Sequence, residues 1–579
     1  MGVPGFFAWL LKKYKKNNNI IIQSINQSVD WLYLDSNCLF HPQCHKILAY
    51  YIDKNKKIEL ERLEEKMIKR ILNYIDFLIA FTNPQKGIFI SVDGVAPCAK
   101  INQQRSRRFK SMYDNKLRDL IKQKYNKNVS DIWNNTTITP GTQFMEKLHL
   151  AILNHIKEIK TQLTYIYSSY HTRGEGEHKI LQHIKTNNDK VVVIYGLDAD
   201  LLFLALATNK DNLYLLREET FLNNTHEPKS EIIDIVKDVS EKLNFVSINE
   251  TKLCINEQFK SMICDRIEVE TSFNNIDFTK DFIVLCYFLG NDFIPNIPSI
   301  EIKNDGLDFL LNIYVDTYLT LNHNRIINDK NEINNIFLAL YLKNLSQYED
   351  YYFKVKYPKY IERIQKRSCL SDDPYEQAIW NMENSPLFNT EDPIKLGQDT
   401  PEVYKYRFYE HNYGISLNQQ EYVNNICQEY LTGIKWTIMY YFDKCPAWDW
   451  YYHYRHTPFV SDIVSFLKTN FDINKVKFID KFNITPFTQL LMVLPPQCYN
   501  LLPINYSQLM ITSTSPIIDL YPVNIKIDFL YKDSYHKCVP MIPNIDIKRI
   551  LNAVDRIQIS KDENQRNMIL DNFNFNLKN

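Results

Sequence analysis

Two rhythms of apolar and polar positions run through this chain. Short unbroken apolar runs at 32–34, 87–92 and 191–195 each lead into a turn that carries acid: Asp35, Asp93, and the pair Asp198 and Asp200. Strands covered on both faces of a parallel sheet read as such continuous runs, without alternation. Between them the apolar residues fall at helical spacing, as in Glu59–Thr82 and Phe144–Lys160, which gives each stretch one apolar face. Strand-like runs alternating with amphipathic helices predict an α/β fold for residues 1–345, a mostly parallel sheet flanked by helices.

Beyond residue 345 the pattern changes. Residues 346–395 are Tyr-rich, carry Asp372-Asp373-Pro374 and Glu391-Asp392-Pro393 without a sustained period, and read as a linker. Residues 396–579 form a second, helix-rich mixed block, helical at Glu421–Tyr441 and then rich in proline and aromatics, expected to wrap the first.

The acids recur in matched contexts. Gly174-Glu175-Gly176-Glu177-His178-Lys179 puts two carboxylates two residues apart at a helix start, and Leu289-Gly290-Asn291-Asp292-Phe293 holds another after an apolar run. Any one of them alone reads as a helix cap or a solvated side chain. Ligand sites in open α/β sheets gather at the carboxyl ends of the strands, so acids from separate strand–turn–helix units are expected to converge on one crevice. Glycine marks the same places: of 13 in the chain, Gly2, Gly5, Gly94, Gly174, Gly176, Gly196 and Gly290 lie in or beside these segments. Carboxylates so crowded raise one another's pKa unless cations accompany them. Oxygen-only ligands favour Mg²⁺ or Mn²⁺ over zinc. Two such ions about 3.5–4 Å apart suit in-line displacement at phosphorus.

The stretch from Ser91 to Phe109 adds the complement. Within fifteen residues of Asp93 come Lys100, Gln103, Gln104, Arg105, Arg107 and Arg108. A carboxylate suited to a hard metal beside guanidinium and ammonium groups suited to phosphate points to phosphodiester chemistry.

Composition narrows the setting without deciding it. The 579 residues are 45% hydrophobic and 13% aromatic, enough for several cores. Lys+Arg and Asp+Glu balance at 68 each, so any nucleic-acid affinity must come from local patches rather than net charge. Eleven cysteines without CxxC pairs argue against a zinc module and suit a reducing compartment. No apolar run reaches membrane-span length, and the start has no signal-peptide pattern, so an intracellular protein is expected, cytoplasmic rather than nuclear.

At this point the chain resembles the 5′→3′ exoribonuclease (XRN) family, within the wider group of PIN-like and flap-nuclease-like enzymes. The resemblance rests on Met1-Gly2-Val3-Pro4-Gly5-Phe6-Phe7, Leu34-Asp35-Ser36-Asn37 through His41-Pro42, Val92-Asp93-Gly94-Val95-Ala96-Pro97 and Ile138-Thr139-Pro140-Gly141-Thr142. It continues through the glutamate and aspartate motifs above, Leu216-Arg217-Glu218-Glu219, Trp448-Asp449-Trp450, Pro486-Phe487-Thr488-Gln489-Leu490 and Ser515 to Pro522.

The resemblance implies a catalytic core without the long C-terminal extensions of larger members. It implies a metal site of Asp35, Asp93, Glu175, Glu177, Asp198, Asp200 and Asp292, and a 5′-monophosphate pocket of Lys100, Gln104, Arg107 and Arg108. On a helix those four share a face, while Arg105 points away and is expected to be solvated. His41 and a tryptophan of the second block, Trp450 slightly ahead of Trp448, are implied to sandwich the 5′ base. The implied activity is processive 5′→3′ degradation of 5′-monophosphorylated single-stranded RNA by a monomer. Two alternatives stay open: a structure-specific 5′ DNA nuclease of the flap type, and an inactive RNA-binding relative.

Overall fold

The apolar runs become buried strands, and their neighbours in sequence become the helices that cover them. The computed structural model describes residues 5–14, 17, 19–54, 57–127, 133–219, 234–267, 276–389, 391–416, 419–570 and 576–577. The start of the chain, Met1-Gly2-Val3-Pro4, lies outside the described residues. Strands β1 (Ile21–Ile22), β2 (Trp31–Asp35), β3 (Gly87–Ser91), β4 (Thr164–Ser168), β5 (Val192–Tyr195), β6 (Leu213–Glu218) and β7 (Leu243–Ser247) form one sheet with the pair Asn576–Leu577. Their order is β1-β7-β6-β5-β2-β3-β4, with 576–577 at the outer edge beside β4. The five central strands, β6-β5-β2-β3-β4, run parallel, and the pairings at both margins are antiparallel.

Alternate strand residues feed two cores. Leu32, Leu34, Ile88, Ile90, Val193 and Tyr195 face one side, under helices α3 (Leu60–Thr82) and α5 (Gln143–Glu158). Helix α3 presents Leu63, Met67, Ile71, Tyr74, Ile75 and Leu78 on one face and stops at Asn83, whose φ of 45° is left-handed, a conformation asparagine tolerates. Tyr33, Phe89, Val192 and Ile194 face the other side, where α6 (Gly176–Thr186) and α7 (Asp200–Ala207) pack. That second core is continuous with the interior of the C-terminal half, including Trp436, Phe487 and Leu490. The second block therefore closes one face of the sheet.

Two expectations are changed by the structure. Residues 346–395 carry helices Tyr357–Gln365 and Pro374–Asn384, so the stretch that reads as a linker is largely helical. Arg105, expected in solvent, is 2% exposed: it donates Nη1 to the Met492 carbonyl at 3.0 Å and Nη2 to the Leu520 carbonyl. The second block lies over this face of the long helix α4 (Cys98–Lys124), and carbonyls 387 and 415 residues away accept from the guanidinium.

Candidate metal and phosphate site

Strand ends set the acids. Asp35 is the last residue of β2, and Asp93 follows β3 by two residues. Glu175 follows β4 as the N-cap of α6, and Asp198 and Asp200 follow β5 as α7 begins. Strand β2 lies between β3 and β5, where the connections leave in opposite directions and the crevice of a parallel sheet opens.

All seven carboxylates converge. Burial first, then the charges of Asp93 and Asp198, raise Asp35 well above the carboxylate range. Burial and Glu175 lift Asp93 to about 6; burial and Asp292 lift Asp200 to about 7. Glu177 is pushed well up by burial and by Glu175. Each acid lies within another's field, the outcome of assembling like charges in a low-dielectric pocket.

Named partners hold the acids in place. Gly176 donates its backbone N–H to Asp93 Oδ1 at 2.6 Å. A side chain at Gly176 would begin 2.9 Å from Asp35 Oδ1 and 3.3 Å from Asp93 Oδ1, so only glycine lets the helix start approach both acids. Asn37 Oδ1 accepts from the Asp93 N–H at 3.1 Å, and the Cys38 thiol donates to Asp35 Oδ2 at 2.9 Å. Buried Lys179 donates to the Val92 and Ser169 carbonyls at 2.7 and 3.0 Å, stitching the ends of β3 and β4 together. Arg217 donates to the Leu197 carbonyl and fixes the turn before Asp198.

The donor set fits a hard divalent cation. Asp35, Cys38 and Asp198 offer ligand atoms within 4.8 Å of one another, though burial and Asp35 hold the Cys38 thiol protonated. Glu177 Oε2 and Asp200 Oδ1 are buried and have no hydrogen-bond partner. Orphaned carboxylate oxygens in a pocket of carboxylates are what a bound cation satisfies.

Helix α4 carries the basic residues along the edge of this pocket. Lys100, 9% exposed, reaches Glu175 Oε1 at 2.6 Å and Asp292 Oδ2 at 2.8 Å. Burial opposes charge on both Lys100 and Asp292, yet their attraction raises the lysine and lowers the aspartate. One turn on, Gln104 keeps a buried Oε1 without a partner. Arg108 donates Nη2 to Thr139 Oγ1 at 2.8 Å while its buried Nη1 has no partner, and Arg107 is exposed. Lys100 thus faces the acids, and Gln104, Arg107 and Arg108 lie farther along the helix.

His41 lies on α2 (Ser36–Asp53), near both arginines: burial of its imidazole first, then Arg107 and Arg108, push its pKa down to about 4, while the residue as a whole keeps solvent exposure. Among the described residues no ring pair joins His41 to either candidate tryptophan. Trp450 stacks on Trp436 at 5.4 Å and meets Phe478 edge-on at 6.4 Å. Trp448 is half-buried against the loop that precedes Glu175, with the Arg173 guanidinium 5.7 Å over its ring.

Sequence reading missed the residues that act across the two halves. Tyr440 donates to Glu175 Oε2 at 2.7 Å, and its ring stacks on His178 at 4.3 Å and on Trp436 at 4.9 Å. Gln489 accepts from the Ala96 N–H at 2.8 Å, bracing the loop between Asp93 and α4. His178 and Gln489 stand in motifs, which was a signal; Tyr440 stands in none.

Residues 1–219 match the description "XRN 5′-3′ exonuclease N-terminus", and residues 272–380 and 377–577 match "Xrn1 helical domain". The chain is 29% identical to a 5′-3′ exoribonuclease 1 of Homo sapiens over 98% of its own length and 35% of that protein. It is 27% identical to a 5′-3′ exoribonuclease 1 of Schizosaccharomyces pombe, covering 98% and 49%, and 26% identical to a 5′-3′ exoribonuclease 2 of Debaryomyces hansenii, covering 98% and 71%. It spans between a third and a half of the length of the first two.

Proposed function

Because the chain belongs to the XRN 5′-3′ exonuclease family, we propose that it is a processive 5′→3′ exoribonuclease acting on single-stranded RNA with a 5′-monophosphate. The observation that carries the reading is the convergence of seven acids beside a helix that offers Gln104, Arg107 and Arg108. Asp35, Asp93, Glu175, Glu177, Asp198, Asp200 and Asp292 would hold two Mg²⁺ or Mn²⁺ ions. When bound, such ions polarise the scissile phosphate and lower the pKa of an attacking water.

The remaining work falls to this chain's own side chains. Lys100 pairs with Glu175 and Asp292 from the helix side, neutralises part of the acid cluster and favours the ionised form of Asp292. Gln104, Arg107 and Arg108 receive the terminal phosphate, and the unpartnered Gln104 Oε1 and Arg108 Nη1 leave polar capacity there. Charge-assisted, fork-shaped contacts of this kind favour a small terminal monophosphate. His41 offers a stacking face at the same place, and Trp448, beside Glu175, takes the opposing role better than Trp450, whose ring is occupied by Trp436. Residues 1–345 would form the nuclease domain, 346–395 the connection, and 396–579 the block that completes the substrate channel.

The reading is tested by comparing decay of RNA carrying a 5′-monophosphate, 5′-triphosphate or 5′-hydroxyl, and of matching DNA. Preference for the monophosphorylated RNA is the expected result; equal decay of all four, or decay of DNA alone, would refute it.

A further inference from the structure

Helix α4 has a second face, and a chamber of about 920 Å³ lies against it. Gln103, Arg107, Lys110 and Asp114 line it from the helix, Asn291 and Asp292 from the acid site, and the second block closes the far side. Its volume lies near the upper end of the range for small-molecule sites. Asp292 belongs to both compartments: its Oδ2 meets Lys100 in the acid cluster, and the residue lines the chamber.

The lining suits a nucleotide. Of its seven lysines and arginines, Lys110, Arg118, Lys303 and Lys537 are paired with carboxylates and Arg455 donates to the Ile542 carbonyl. Arg107 and Lys532 make no side-chain hydrogen bond or ion pair with another described residue. Aromatic rings, among them Phe293, Tyr352, Phe353 and Tyr452, supply apolar wall for a base. Gln103 Oε1 and Asn291 Nδ2 are buried without partners, on residues that line the chamber. Cationic groups, stacking surfaces and unspent hydrogen-bond capacity together match a nucleoside monophosphate.

Resting on the exonuclease reading, we propose that this chamber is the exit compartment for the mononucleotide product. After each cleavage the shortened strand keeps the entrance filled on the Gln104–Arg108 side. A released nucleoside monophosphate then passes Asp292 into the chamber, and the enzyme advances without letting go of its RNA. Arg107, on the helix between the two compartments, hands the phosphate from one side to the other.

The test uses the full chain with Mg²⁺ and AMP or UMP as probe, adenosine as the control without phosphate, and the variants Ser106→Trp, which fills the chamber, and Lys532→Glu, which reverses a wall charge. Calorimetry should give AMP binding stronger than adenosine binding, weakened about tenfold in each variant. Cleavage of the first nucleotide, read in acid-quenched single turnovers, should stay at the wild-type rate, while the per-nucleotide rate on long RNA falls about tenfold. Unchanged AMP affinity and long-RNA rate in both variants would overturn the proposal. So would equal loss of first-nucleotide cleavage and long-RNA decay, which places the defect in the chemical step. If the wild-type chain degrades no RNA, the exonuclease reading fails, and the AMP affinities still decide the chamber.

Discussion

Tyr440 donates a 2.7 Å hydrogen bond to Glu175 Oε2, so a helix of the second half holds an acid of the first. The phenol sits in a ladder of rings that runs from Trp450 through Trp436 and Tyr440 to His178, whose Nε2 donates to the Tyr440 carbonyl at 2.9 Å. Removing the hydroxyl alone leaves the stack and withdraws one donor from a buried carboxylate. A hydrogen bond to a charged group contributes about 1.5–3 kcal/mol. Tyr440→Phe should lower kcat roughly tenfold or more and raise the Mg²⁺ concentration needed, with KM for RNA little changed. Wild-type kcat and Mg²⁺ dependence in the variant would show that Glu175 is held by other means.

Asp200 makes the metal-free protein pH-sensitive in a defined direction. Burial and Asp292 raise its carboxyl to about 7, against an ordinary 3.8. The native state therefore prefers the neutral acid. Below about pH 4 the group is protonated folded or unfolded and costs nothing; as pH rises to 7 the folded protein pays a growing penalty. In EDTA, the stability of Asp200→Asn should exceed that of wild type by a margin that widens from pH 4 to 7 and is flat above. Urea melts at pH 5 and 8 measure it, and a margin that shrinks over this interval would contradict the assignment.

Arg107 should discriminate the 5′ end. Loss of a charge-assisted contact to phosphate costs about 1.5–3 kcal/mol, roughly ten- to a hundredfold in rate. Arg107→Ala should slow decay of 5′-monophosphorylated RNA by that factor and of 5′-hydroxyl RNA far less. Equal slowing would assign the arginine to the RNA backbone.

The two tryptophans should separate. Trp450 is packed on Trp436 and Phe478, and its truncation should cost about 3 kcal/mol of stability. Trp448→Ala should leave the melting temperature within a few degrees and slow RNA decay, because its ring borders the loop before Glu175. A Trp448→Ala enzyme with wild-type turnover would remove that ring from the account.

The strands and the convergence of acids were legible because both are local. A continuous apolar run followed by an acid and a helix start specifies the end of a parallel strand, and three such strands side by side, β5, β2 and β3, bring their ends together. The fate of Arg105 was not legible, since its acceptors are the Met492 and Leu520 carbonyls and no local pattern announces them. Trp450 could not be sorted from Trp448 for the same reason: its partner Trp436 is buried by tertiary packing. The helix α4 runs to Lys124 although residues 111–124 show no apolar period, because that half stands largely free of the core. The helices of 346–395 were masked by composition, with Pro358 and Pro374 in their first turns and acidic turns that read as loop.

The central claim is that the converging acids carry metal-dependent hydrolysis from a 5′ end. An internally labelled RNA with a 5′-monophosphate and a blocked 3′ end tests it most directly, incubated with Mg²⁺, with EDTA, and with the Asp198→Ala/Asp200→Ala variant. Mononucleotide release and loss of full-length RNA without internal fragments are expected in Mg²⁺, and intact RNA in the other two. Turnover by the double variant, turnover in EDTA, or a ladder of internal cuts would contradict it.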